Sequence, residues 1–313
     1  MRGRLRFSAG NYGSTPVKVV PEDILVESPS GHTCFADVSG VQIAFEDAGQ
    51  GGSAVFLHGG LLDRRMWEGQ FAHFASSYRV IRYDMRCAGQ SLTTPTAEPF
   101  SHHEDLLHLL EALKIERASL VGLSNYAVAL DFTIAYPHVV DKLALVSPGL
   151  RGYEFRDPWV DTRFDAMIGA LGQQKLTEAV EIFLTMWVDG PQRRPEEVDT
   201  RVRERVREMV TCAFPLTRLA PNCKGLEPPA VGRLAEVRAP TLVVMGDKDA
   251  PDILAIGRLI HEGIVGSQLI TIGGVGHTLV MEKPAEFNRV LDNFLRFQPP
   301  TQNGPFFARD HRA

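Results

Sequence analysis

The sequence predicts an α/β fold, a mostly parallel central sheet flanked by helices and carrying a helical insertion. Three observations predict it. Short apolar or β-branched runs alternate with amphipathic helical patterns through much of the chain. The alternation lapses between Leu150 and Val237, where helical spacing continues without strands. Finally, 313 residues, 44% of them hydrophobic and 23% charged, are enough to bury one large core.

The elements follow in chain order. Residues 1–32 hold turn formers without a clear period and are read as an N-terminal extension outside the domain. Cys34 to Val38, the alternating Val41 to Phe45 and the apolar Ala54 to Leu57 read as three strands separated by glycine-rich turns. Arg79 to Tyr83, Ala118 to Leu123, Leu143 to Val146, Thr241 to Met245 and Gln268 to Ile272 read as buried strands. Between them, Leu106, Leu107, Leu109, Leu110 and Leu113 form one apolar helix stripe, and a second helix from Ala127 to Tyr136 stops before Pro137. Leu176 to Trp187 and Val198 to Val210 show helical spacing inside the insertion, and a last helix is expected over Ala285 to Phe297. The expected organisation is a core of residues 33–149 and 238–298, a helical cap of 150–237 and a polar tail of 299–313.

Composition narrows the partners. The net charge of −5 gives no global basic field for nucleic acid or anionic lipid, so a small-molecule substrate is expected, with no nucleic acid and no membrane. Cys34, Cys87, Cys212 and Cys223 are too scattered for a C-x-x-C metal or redox motif and read as free thiols. His102, His103 and His108 lack the acids of a metal site and read as a solvated helix start, so no metal or organic cofactor is expected. Asn11 to Gly13 and Pro16 interrupt any signal-like apolar run, which points to the cytoplasm. Ala118 to Tyr136 approaches spanning length, but Ser124, Asn125 and Asp131 inside it fit a strand, a turn and a helix better. Nothing in the sequence fixes the oligomeric state.

Three residues carry the chemistry. Ser124 follows the strand Ala118 to Leu123 and precedes a helix, which lifts its hydroxyl above the carboxyl ends of the strands beside free N–H groups. Serine needs a base, and His277 follows a late strand on the same sheet edge. An imidazolium needs an acid, and Asp249 follows the strand before that one; Asp247 is its rival two positions away. Singly, each is a weak signal: the serine could be an N-cap and the histidine a loop residue. Their joint order Ser, Asp, His is that of one hydrolase class.

With these residues in place, the chain resembles the α/β-hydrolase superfamily over roughly Cys34 to Phe297, and looks most like its capped enol-lactonase and esterase-like serine hydrolases. His58-Gly59-Gly60 after the third strand resembles the H-G-x oxyanion segment, which implies that the backbone N–H groups of Gly60 and Asn125 stabilise the oxyanion. Asp84-Met85-Arg86-Cys87-Ala88-Gly89-Gln90-Ser91 is similar to the family's D-x-R-G-x-G-x-S turn. The same resemblance favours Asp249 over Asp247, and Ser147-Pro148 at the other acid position of the family agrees with that choice. It implies a nucleophile elbow, a Ser124-Asp249-His277 triad and an acyl-enzyme.

Two positions depart from the pattern. Tyr126 stands where the elbow has its second glycine, and Cys87 replaces a turn glycine. Tyr126 is read as accommodated by packing, with pocket shaping or a lost hydrolase as alternatives. Gly59, Tyr126, Trp159 and Trp187 are the candidate pocket residues, and Phe164, Phe183 and Met186 accompany the tryptophans in the cap as pocket wall or cap core. The arginines Arg193, Arg194 and Arg201 to Arg207 alternate with glutamates and read as a solvated cap surface. The expected activity is hydrolysis of an ester, lactone or related acyl compound with an apolar portion. Carbon-carbon bond hydrolysis, perhydrolysis and ligand binding without hydrolysis remain alternatives.

Overall fold

In a computed structural model of the protein, the described residues are 32–91, 98–124, 127–216 and 222–296. The N-terminal extension, the polar tail and the pair Asn125-Tyr126 lie outside them.

Eight strands form one sheet: β1 (Cys34–Val38), β2 (Val41–Ala48), β3 (Ser53–Leu57), β4 (Arg79–Tyr83), β6 (Ala118–Leu123), β7 (Val140–Val146), β9 (Thr241–Gly246) and β10 (Gln268–Ile272). Their order is β1-β2-β4-β3-β6-β7-β9-β10, with β2 antiparallel to both neighbours and every pair from β4 onward parallel. Parallel strands buried on both faces need apolar side chains at consecutive positions, which is what β3, β6 and β9 carry.

Alternate residues feed two cores. On one face Val55, Leu57, Val243 and Met245 pack with Leu106, Leu109 and Phe132. On the other, Ala54, Phe56, Leu242 and Val244 pack with Trp67, Phe71, Phe287 and Leu291. The helices behind these contacts are α1 (Glu68–Phe74), α2 (His102–Ala112), α3 (Val128–Ala135), α7 (Pro251–Gly263), α8 (Leu279–Glu282) and α9 (Pro284–Arg296). The apolar stretch from Ala118 to Tyr136 is therefore divided between β6 and α3, and no helix of the described residues is long and apolar enough to cross a membrane.

Between β7 and β9 lie α4 (Pro158–Gly172), α5 (Leu176–Leu184) and α6 (Thr200–Leu216). The turn Thr185–Asp189 continues α5 with wider π-type spacing, closed where the Gly190 N–H donates to Thr185 O. The periodicity of 150–237 predicts a block without strands, and the structure corrects this. The two-residue β8 (Cys223–Lys224) pairs with β5 (Phe100–Ser101) in a separate ladder. Nor is the start of α2 solvated: His102 and His103 are buried against Phe100 and Tyr136, and burial pushes the His102 imidazole down to about 3. The four cysteines are free, and no grouping of three His, Cys, Asp or Glu that could hold a metal occurs among the described residues.

Candidate active site

The strand register aligns the ends on which the candidate residues stand. The chain leaves β3 toward β4 and returns on its other side as β6, so Leu57 of β3 lies opposite Gly122 of β6. This is the switch point at which open α/β sheets form a crevice. Leu123 then pairs with Val146, Val146 with Val244, and Gly246 with Ile272, so the turns after β3, β6, β9 and β10 leave along one edge.

Ser124 takes a left-handed backbone, φ 55°, rare for a residue with a side chain. The turn is held from both sides: the Ser124 N–H donates to Val146 O at 2.9 Å, and Ser124 O accepts from the Gly149 N–H at 3.1 Å. Gly122 lets α3 close on β6, since a Cβ there would lie 2.8 Å from the Ala129 Cβ. The N-cap of α3 is Ala127, in a left-handed conformation and without a side-chain cap. A small cleft beside Ser124 is lined by His58, Met85, Leu123, Val128 and Pro148.

His277 is 5% exposed, and its Nδ1 lies 2.9 Å and 3.1 Å from the two carboxylate oxygens of Asp249, itself 1% exposed. The Ala250 N–H donates to Asp249 Oδ1 at 2.7 Å, which fixes the carboxylate plane. Asp247 turns elsewhere and accepts the Gly274 N–H at 2.6 Å. The two loops are joined through Lys248 N–H to Val275 O at 3.0 Å. Among the described contacts of His277, no hydrogen bond to Ser124 occurs.

The resemblance places His58 in the H-G-x segment without giving its ring a role. Its ring holds that segment. It is buried, its Nδ1 lies 2.8 Å from Gly59 O and its Nε2 lies 2.9 Å from the Met85 N. These contacts assign Nδ1 as donor and Nε2 as acceptor, and they fix the turn bearing half-buried Gly60 between β3 and β4. Gly59 itself is buried under Leu62 and Leu123.

Trp187, on the π-turn, sets its ring 4.7 Å from the His277 ring at 45°. Trp159 stands at the start of α4 with the Arg163 guanidinium over its ring, a contact within the helical block. Phe183 and Met186 are core residues. Asn125 and Tyr126 lie outside the described residues, so the second oxyanion donor and the altered elbow position have no structural account.

The arginine run differs most from its sequence reading. Arg193 and Arg203 are not solvated: the Arg193 side chain is 7% exposed and paired with Glu282, while Arg203 pairs with Asp189 and Glu181. Sequence carried no signal for the first pair, whose members are 89 positions apart. A larger cleft lined by Asp63, Arg65, Gln90, Met209 and Cys212 contains none of the candidate residues.

Residues 54–290 match the model of the Alpha/beta hydrolase family. The chain belongs to that family. Among relatives of this alpha/beta hydrolase, the 2-hydroxy-6-oxo-6-phenylhexa-2,4-dienoate hydrolase of Comamonas testosteroni is 29% identical, over 83% of this chain and 93% of its own. The 3-oxoadipate enol-lactonase 1 of Acinetobacter baylyi is 23% identical, over 87% and 97%. A crystal structure of bromoperoxidase from Bacillus anthracis superposes with a TM-score of 0.71 at 26% identity, covering 85% of this chain and all of that one.

Proposed function

We propose that this alpha/beta hydrolase is a serine hydrolase that cleaves an ester, lactone or related acyl compound. The observation that carries the reading is the buried Asp249–His277 pair on the sheet edge where Ser124 stands on a left-handed turn. In the proposed reaction Ser124 Oγ attacks the substrate carbonyl carbon and its proton passes to His277 Nε2. Asp249 accepts from Nδ1 and holds the ring in the tautomer that can receive that proton. The negative charge forming on the carbonyl oxygen is met by the N–H of Gly60 and, by the family pattern, of Asn125; a donor of this kind contributes about 2.7–4 kcal/mol. The carbon–oxygen bond then breaks, and the leaving alcohol takes the proton from Nε2. Water repeats the attack with His277 as base and releases the acid and Ser124.

The block of residues 150–237 acts in this proposal as a cap over the site. Trp187 against His277 supports that placement and offers an apolar wall for the substrate. The enol-lactonase relative supports the acyl class.

The dienoate hydrolase relative favours a second reading, carbon-carbon bond hydrolysis on the same residues. Two assays separate the cases. A fluorophosphonate should label Ser124 in the parent and not in Ser124→Ala, whereas an unlabelled, folded parent would favour a binding protein without hydrolysis. A panel of nitrophenyl esters and lactones, run beside a 2-hydroxy-6-oxo-dienoate, should show turnover of the former. Turnover of the dienoate alone would replace the first reading by the second.

A further inference from the structure

The segment that leaves the π-turn lies on both loops of the Asp249–His277 pair. Gly190 packs so closely on the acid loop that a Cβ there would lie 2.4 Å from Lys248 O, and Lys248 Nζ reaches Gln192 Oε1 at 3.3 Å. Three residues further on, Arg193 is wedged between the helical block and the histidine loop. From one side its Nε and Nη2 donate to Asp189 O and Val188 O, at 2.9 Å and 2.6 Å. From the other, its Nη1 donates to Gly274 O at 3.2 Å and pairs with Glu282.

Glu282 continues the connection. Its Oε1 accepts the Gly276 N–H at 3.0 Å and the Thr278 hydroxyl at 3.4 Å, so one carboxylate holds the residues on both sides of His277. Gly276 has no Cβ where one would lie 2.5 Å from Arg193 Nη2 and 3.1 Å from Val188 O. Two of the carbonyls that Arg193 holds, those of Val188 and Asp189, follow Trp187 directly, and the Gly276 N–H and Thr278 hydroxyl that Glu282 holds flank His277. One ion pair therefore sets both halves of the Trp187–His277 contact.

We propose that Arg193 and Glu282 are positioning residues that clamp the helical block to the histidine loop and so hold His277 in its reactive place. The proposal deepens the serine hydrolase reading and rests on it. Arg193 suits the role because a planar guanidinium can address the carboxylate and three carbonyls at once, which an ammonium cannot.

The test compares the parent with Arg193→Gln, Arg193→Lys and Glu282→Gln in the full chain. Three quantities are measured: the melting temperature, the rate constant of fluorophosphonate labelling at Ser124, and amide exchange in the peptide spanning 273–279. In Arg193→Gln, labelling should fall at least about tenfold and exchange at Gly276 should rise by about as much. Arg193→Lys should lie between the two, and Glu282→Gln should follow Arg193→Gln. A merely structural ion pair would lower the melting temperature and leave labelling of the folded protein alone. A loss of labelling smaller than about tenfold in folded Arg193→Gln overturns the proposal, and Glu282→Gln decides in the same way if the first variant does not fold. A folded parent that never labels refutes the hydrolase reading, and the clamp is then judged by exchange. Raised exchange at Gly276 supports it and unchanged exchange overturns it.

Discussion

Exchanging one oxygen of Asp249 for nitrogen should stop the proposed reaction with little change to the fold. The carboxylate meets two donors, the Ala250 N–H at 2.7 Å and His277 Nδ1 at 2.9 Å and 3.1 Å. In Asp249→Asn the remaining carbonyl oxygen is needed by the buried Ala250 N–H, which turns the new NH2 toward Nδ1. Two donors cannot face each other, so the imidazole must place its proton on Nε2, where it can no longer accept one from serine. The expected loss is about 10⁴-fold in kcat, or roughly 5.5 kcal/mol at 1.36 kcal/mol per decade. Asp247→Asn is the control. Its side chain is 37% exposed, its contact with the Gly274 N–H survives in the amide oxygen, and its ion pair with Lys248 spans 3.5 Å, so a loss below about threefold is expected. Turnover of a nitrophenyl ester by both variants, with melting curves to show that each is folded, makes the comparison. Equal losses, or a larger loss at Asp247, would refute the assignment of the acid.

Ser124→Ala should retain the parent's melting temperature and lose fluorophosphonate labelling; turnover above about a tenth of the parent's would assign the chemistry to another nucleophile. Gly122→Ala should lower stability by about 1–3 kcal/mol in urea unfolding, because the new methyl meets the Ala129 Cβ at 2.8 Å; an unchanged midpoint would contradict the close packing of α3 on β6. Burial holds His102 at about 3 in the folded chain, below its value of 6.5 when unfolded. The unfolded chain therefore takes up the proton first as pH falls, and this contribution is lost progressively from about pH 6.5 toward pH 3. Relative to His102→Asn, the parent should lose about 2 kcal/mol more between pH 7 and pH 5, and parallel urea curves for the two proteins would rule the effect out.

The strands were legible because a parallel strand between two helix layers must be apolar at consecutive positions, and β6 and β9 are. The positions of Ser124 and Asp249 after β6 and β9 were legible for this reason; His277 follows β10, which the sequence reads as buried but which lies at the sheet edge, so only Ile272 of it is buried. Other features leave no mark of this kind. The ladder of β5 and β8 is two residues long, too short for any period to register. The π-turn is only five residues long, too short for its wider spacing to show as a period distinct from that of the helix before it. His102 and His103 resemble a polar helix start until the phenylalanine and tyrosine rings that cover them are placed. Arg193 looks solvated within a run of charges because its partner lies far along the chain.

The ladder of β5 and β8 bears on how such proteins exchange parts. The helical block leaves the sheet after Val146, but its return strand is stitched to Phe100 and Ser101 before the chain rejoins the sheet at β9. Phe100 lies under the Arg86 guanidinium at 4.5 Å, and Arg86 is held by both oxygens of Asp105 on α2. The seam thus belongs to the recipient as much as to the donor. A transplanted block cut at residues 150 and 222 would inherit a matched seam, whereas one cut at 237 would bring a foreign partner for Phe100.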